Sequence, residues 1–209
     1  MKLRVPEMEG RSARWYAKQR GSAPQMSAYR RSASKLSAEA PGATVLEVAP
    51  GPGYHAVELA RLGHPVTGLD ISHTMVEIAR ETAVRAGVDV DFRPGDATAM
   101  PFGDGSFDLV VCQAAFKNFL DPTAALNEMR RVLRPGGLAV IQDLNSEATR
   151  ADIAAEVAAM GLSAVNSALT RLTLSWLRRR ARTVAQWREL TGEAEIRLDG
   201  LSLEVRLRA

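Results

Sequence analysis

The chain has 209 residues, 46% of them apolar and 24% charged, enough to bury one sizeable core and too apolar for a disordered chain. Its formal charge of +3 is small for this length and does not by itself point to a nucleic acid. A lone cysteine, Cys112, excludes an internal disulfide and fits a reducing cytoplasm; the lack of a long apolar run or apolar leader argues against a membrane span or secretion.

The first 40 residues read as one or two helices, interrupted by Gly-Ser-Ala-Pro at 21–24. Thr44–Val48 is a short β-branched strand that runs into the loop Ala49-Pro50-Gly51-Pro52-Gly53. Residues 54–62 have helical spacing and stop at Gly63. Val66–Leu69 forms the next strand, ending at Asp70. Ser72 or Thr74 caps a helix over about 74–86, closed by Gly87. Val88–Phe92, Phe107–Cys112 and Leu138–Asp143 are three further strands. A helix over about 122–133 precedes the last of them and ends at Pro135-Gly136-Gly137.

This alternation predicts an α/β fold, a doubly wound, mostly parallel sheet with near-continuous apolar strands. The rhythm breaks after Asp143. Residues 149–182 are helical and rich in Ala, Leu and Arg, with a break at Gly161. They read as an insertion that forms either a lid or a homodimer surface through Met160, Leu162, Leu172, Leu174 and Trp176. A short helix over 184–190 follows. Glu195–Leu198 and Leu201–Leu207 then flank Asp199-Gly200, a type I′ hairpin signal. The expected organisation is one domain with an N-terminal helical cap (1–40), a core (41–144), the insertion (145–182), and a last helix with the hairpin (183–209). Two basic clusters, Arg11 to Lys35 and Arg171 to Arg182, read as solvated helix faces.

Gly51 and Gly53 allow a sharp turn and a close approach by a ligand at the carboxyl edge of the sheet. Two ligand classes suit that bend. A dinucleotide fits the pattern Gly51-x-Gly53-x-x-Ala56 with Asp70 beyond it. A sulfonium and ammonium ligand such as S-adenosylmethionine instead favours carboxylate oxygens, which Glu47 supplies. The loop alone does not separate the two.

Longer stretches do. VLEVAPGPGYHAVELARLGHPVTGLDIS, DFRPGDATAMPFGDGSFDLVVCQAAFKNF and ALNEMRRVLRPGGLAVIQD resemble, in order, the successive motifs of the class I S-adenosylmethionine-dependent methyltransferases. The resemblance covers about residues 44–143 and is similar to the methyltransferase type 11, ubiquinone-menaquinone biosynthesis-like branch. It implies a Rossmann-like seven-stranded sheet with an antiparallel last strand, S-adenosylmethionine as cofactor, no metal, and methyl transfer to O, N or C of a small molecule. By the same resemblance Glu47, Ala49, Pro50, Gly51 and Gly53 line the methionine moiety. Ala49 stands where the family has its first glycine. Asp70 would accept the ribose hydroxyls, Ile71 would pack on adenine, and Asp96 with Ala97 would meet the adenine amino group. Gln113 completes the cofactor set. The structural alternative for Asp70 and Asp96 is capping or turn formation.

Methyl transfer from a sulfonium needs chiefly alignment in a dry pocket, so the acceptor side leaves a fainter trace. Its candidates are Lys117 as a desolvated base, Asn118, and Tyr16 from the N-terminal helices. Phe116 and Phe119 wall the pocket or belong to the core. The segment lacks the Asn/Asp-Pro-Pro-aromatic loop of adenine-N6 and glutamine-amide enzymes, so no nucleic-acid partner is expected, and no membrane partner either. The rival readings are an RNA or protein methyltransferase using the basic clusters, an NAD(P)-dependent oxidoreductase, and a protein that binds the cofactor without methylating.

Overall fold

The computed structural model describes residues 8–160 and 163–209. Helices α1 (Gly10–Arg20) and α2 (Ala23–Glu39) precede strand β1 (Val45–Val48), whose four residues are all buried. The chain continues through α3 (Tyr54–Arg61), β2 (Val66–Asp70), α4 (His73–Ala86), β3 (Asp91–Pro94), β4 (Phe107–Gln113) and a short 3₁₀ turn at Phe116–Asn118. Then come α5 (Pro122–Val132), β5 (Leu133–Leu144), α6 (Arg150–Ala159), α7 (Ala164–Arg178), α8 (Val184–Thr191), β6 (Glu195–Asp199) and β7 (Ser202–Arg208). The break expected at Gly161, and Leu162 with it, lies outside the described residues.

The strands form one seven-stranded sheet in the order β3-β2-β1-β4-β5-β7-β6. β1 pairs in parallel with β2 and β4, β4 with β5, and β2 with β3; β7 runs antiparallel to β5 and to β6. This is the Rossmann-like methyltransferase fold. The connection reverses between β1 and β4, which leaves a crevice at the carboxyl ends of the strands where doubly wound sheets take ligands.

One apolar cluster fills the sheet face shared with α5 and α8, around Met129, Phe116 and Trp187. The other lies under α2, α3 and α4, around Leu36, Leu59 and Phe92. Ser72 caps α4 by accepting from the Met75 amide at 3.0 Å, and Gly87 ends that helix in the left-handed region.

Three expected boundaries shift. β3 begins at Asp91 rather than Val88, because it is the edge strand and only Phe92 turns inward. β5 begins at Leu133, so Pro135-Gly136-Gly137 lies inside an irregular strand start; Leu133 pairs with Phe107 before the register shifts. The final hairpin forms, but Asp199 pairs with Ser202 and the turn residues are Gly200 and Leu201. Only Gly200 has positive φ, the sign pattern of a type II′ turn rather than type I′.

Helix α1 reaches the site by docking on α4. Ala13, Ala17, Met75 and Ile78 form a small cluster with Tyr16 beside it. The Gly10 amide donates to Thr74 Oγ1 at 3.0 Å, and Ser72 Oγ donates to the Met8 carbonyl at 2.8 Å. Tyr54 Oη donates to the Ala17 carbonyl at 3.1 Å, which ties α1 to α3.

Candidate functional site

A cavity of about 410 Å³ opens at the carboxyl ends of β1, β2 and β4. Its floor is the bend after β1. Ala49 adopts φ 56° and Gly51 φ 55°. For an alanine that conformation costs on the order of 1–2 kcal/mol. Ala114, at the end of β4, also has φ 56°, and both strained alanines line the cavity. Non-glycine backbone strain confined to a cleft is the pattern of a functional site.

The bend is held by the neighbouring strand. Asp70 Oδ2 accepts from the Gly51 amide at 2.9 Å and Oδ1 from the Ser72 amide at 3.0 Å. Burial pushes the Asp70 pKa up, while these two donors pull it back toward the ionised form. Each carboxylate oxygen has a second lone pair free to accept. Glu47, on β1, is 2% exposed and also lines the cavity. Its Oε2 has no hydrogen-bond partner among the described residues. His55 stands behind it with Nδ1 3.4 Å from Glu47 Oε1, and neither ring nitrogen of His55 is hydrogen-bonded. A buried carboxylate oxygen without a donor, on a residue that lines a cavity, has the chemistry of an acceptor for a cationic or N–H-bearing ligand.

Pro50, Ile71, Asp96, Ala97 and Gln113 line the cavity as well. Asp96 Oδ1 accepts from the Thr98 amide at 2.8 Å, so the turn-forming role and the cavity position coexist. Gln113 Nε2 donates to Ser32 Oγ at 2.8 Å and Gln142 Oε1 at 3.0 Å, linking β4 to α2 and β5. Gly53 departs from expectation and is not in the lining. A Cβ there would stand 2.7 Å from the Phe92 ring and 2.8 Å from Ala79 Cβ, so its role is close packing of the loop on α4 and β3.

On the acceptor side Tyr16, Asn118 and Phe119 line the cavity, whereas Phe116 is fully buried against Trp187 at 5.0 Å. Lys117 does not line it. Its Nζ lies 3.0 Å from Asp143 Oδ1, and its amide donates to Asp143 Oδ2 at 2.7 Å. The lysine pairs with a buried carboxylate, and its Nζ also donates to the Ala114 carbonyl. No described residue of 145–182 lines the cavity, so a lid role for the insertion finds no contact here.

Sequence reasoning passed over Tyr29, Arg20, Met8 and Met75, all lining residues. Arg20 lies over the rings of Tyr16 and Tyr29 at 5.9 and 5.5 Å, and burial pushes the Tyr29 hydroxyl up to about 12. The spacing of Tyr16, Arg20 and Tyr29 in the first helices carried the signal, without saying which face met the sheet. His64 is a buried tie, with Nδ1 3.0 Å from the Ala43 carbonyl and Nε2 2.8 Å from Ser37 Oγ.

A doubly wound sheet with β7 reversed, and acids at the tips of β1 and β2 around a small-residue bend, defines a class I methyltransferase fold. Residues 46–141 match the family model described as a methyltransferase domain. Over that segment, just under half of the chain, the sequence is similar to methyltransferase domains. The demethylmenaquinone methyltransferase of Renibacterium salmoninarum is 41% identical over 105 residues, covering 50% of this chain and 43% of that protein. The enzyme of the same name from Thermus thermophilus is 41% identical over 115 residues, covering 54% and 52%. The chain thus spans about half the length of these curated relatives. A solved SAM-dependent methyltransferase from Aquifex aeolicus shares the fold, with a TM-score of 0.69 at 16% identity over 92% of this chain and 96% of that one.

Proposed function

We propose that the chain transfers the methyl group of S-adenosylmethionine to a small apolar acceptor. The observation that carries this reading is the unpartnered Oε2 of buried Glu47, set beside Asp70 across the bend. A pyrophosphate on the bend would be repelled by Glu47, whereas a ligand bearing an ammonium and a ribose diol is matched by Glu47 and Asp70 together. When bound, the cofactor supplies a methyl group on a positively charged sulfur. Glu47 would accept from the ammonium group, and Asp70 from the ribose hydroxyls while still holding Gly51. Asp96 would accept from the adenine amino group, with Pro50, Ile71 and Ala97 as apolar walls. Ala49, Gly51 and Gln113 would border the methionine moiety.

The acceptor would enter between α1 and the segment after β4. Met8, Met75, Phe119 and Leu120 present apolar surface there, and Tyr16 and Asn118 offer hydrogen-bonding groups that can orient a polar substituent. An apolar ring bearing oxygen substituents, as in the demethylmenaquinone of the relatives' name, suits that wall. Such an acceptor is held and dried by these residues, and rate comes mainly from alignment.

Calorimetry with S-adenosylhomocysteine and with NADH tests the cofactor assignment. Binding of the first alone is expected, and binding of NADH alone overturns the reading. Methyl transfer to a short-chain demethylated naphthoquinol, followed by mass, tests the acceptor class. Tight cofactor binding without transfer to this or other apolar phenols would assign a non-methylating role instead.

A further inference from the structure

Among the described residues, the insertion has one face tied to the sheet and one face that is exposed. Ala148, Ile153 and Val157 pack with Leu201 of the hairpin turn, and Leu174 of α7 joins them. Arg178 donates to the Ala148 carbonyl from the same inner side. Val165, Leu169, Leu172 and Trp176 recur at helical spacing on the opposite side of α7, and each is more than half exposed, up to 70% for Val165 and Leu172. Four large apolar side chains in one stripe are too many for an ordinary solvated helix.

Charge identifies what covers the stripe. From residue 157 to residue 188 the sequence contains no aspartate or glutamate; its charged residues are Arg171, Arg178, Arg179, Arg180, Arg182 and Arg188. Arg182 is turned inward, 5.3 Å over the Phe116 ring and 5.7 Å over Trp187. Arg171, Arg179 and Arg180 remain exposed, and Arg180 lies 5.1 Å over the Trp176 ring at the end of the stripe. An isologous contact through α7 would bring these arginines together on helices that carry no acid of their own. Phosphates of a nucleic acid would satisfy the arginines but leave Val165, Leu169 and Leu172 in water.

We infer that α7 lies in the interface of an anionic lipid bilayer, with its apolar stripe in the acyl region and Arg171, Arg179 and Arg180 among the headgroups. Basic residues flanking an apolar helical face, with a tryptophan beside an arginine, have the chemistry of a surface-bound helix. The sequence expectation of no membrane partner rests on the missing span, which does not bear on interfacial binding; no described helix is long and apolar enough to cross a membrane. The insertion leaves the sheet from the carboxyl end of β5, the edge at which the cavity opens. The inference stands independently of the methyl-transfer reading.

The test is co-sedimentation of the full chain with vesicles of phosphatidylcholine alone and with about one-third phosphatidylglycerol. Binding to the anionic vesicles, weakened by salt and with a blue-shifted fluorescence that disappears in Trp176→Phe, is expected. Arg179→Ala and Arg180→Ala should each lower the partition about fivefold. Leu169→Glu with Leu172→Glu should abolish it while circular dichroism stays native, since both side chains are exposed. Absence of binding to either vesicle overturns the inference, as does binding that survives the two glutamates. A dimer dispersed by Leu172→Glu without vesicle binding would assign the stripe to a second copy. Salt-sensitive binding to homopolymeric RNA without vesicle binding would assign the arginines to nucleic acid.

Discussion

The two walls of the cavity are built differently. On one side, Glu47 and Asp70 are themselves among the last residues of β1 and β2, beside the bend that follows β1. On the other, single side chains from α1, α2 and the segment after β4 converge from stretches distant in sequence. Asp70 and Lys117 make the difference concrete. Both are buried charged groups beside the same sheet edge, yet Asp70 faces the cleft with acceptor capacity left, while the charge of Lys117 is taken up by Asp143. Burial and charge alone do not separate a ligand-binding group from a structural ion pair; free valence toward the cavity does.

The sharpest way to break that contrast is Lys117→Ala. With Asp143 left buried and unpaired, the fold should lose roughly 3–5 kcal/mol, read from denaturant midpoints, and Asp143→Ala in the same chain should return part of it. Native stability combined with lost turnover would instead make Lys117 a chemical group. Asp70→Ala should weaken S-adenosylhomocysteine binding by about 1.5–3 kcal/mol, or about ten- to 150-fold in Kd by calorimetry, while Asn118→Ala stays within about threefold. Equal effects at the two positions would erase the difference between the walls.

Gly53→Ala should lower stability by about 1–3 kcal/mol in thermal unfolding, through its φ of 76° and the contact with Phe92. Acid sharpens the comparison further. Burial raises the Asp70 pKa above its unfolded value, so charged Asp70 weakens the ligand-free fold at neutral pH. That penalty disappears as pH falls through the raised value, and ligand affinity falls over the same window because the accepting carboxylate is lost. Calorimetry across that range should show the drop in the natural chain and not in Asp70→Asn. The smallest effect expected is that of Ala49→Gly. Relief of the left-handed alanine is partly offset by a more flexible unfolded chain, leaving less than about 1 kcal/mol of stabilisation.

Legibility in the sequence tracked the range of the interactions. The strand-loop-helix around 45–61 could be read because its apolar run, glycines and adjoining helix are contiguous, and Glu47, Ala49, Gly51 and Asp70 line one cavity. The packing role of Gly53 was not legible because its neighbours, Phe92 and Ala79, come from other elements. β3 slipped because an edge strand with one inward side chain has no apolar run. Tyr29, Arg20 and the Lys117–Asp143 pair carried no local sign of where they would point.

By itself, the order of apolar runs, glycine bends and capping residues determined the doubly wound sheet and the acids at two of its strand tips, because each depends on residues within one turn or one strand of each other. Only the tertiary structure decided which charges pair, which tyrosines reach the cleft and which face of α7 stays bare. Those outcomes depend on side chains tens of residues apart meeting at a particular distance, and the meeting is set by how helices pack on the sheet.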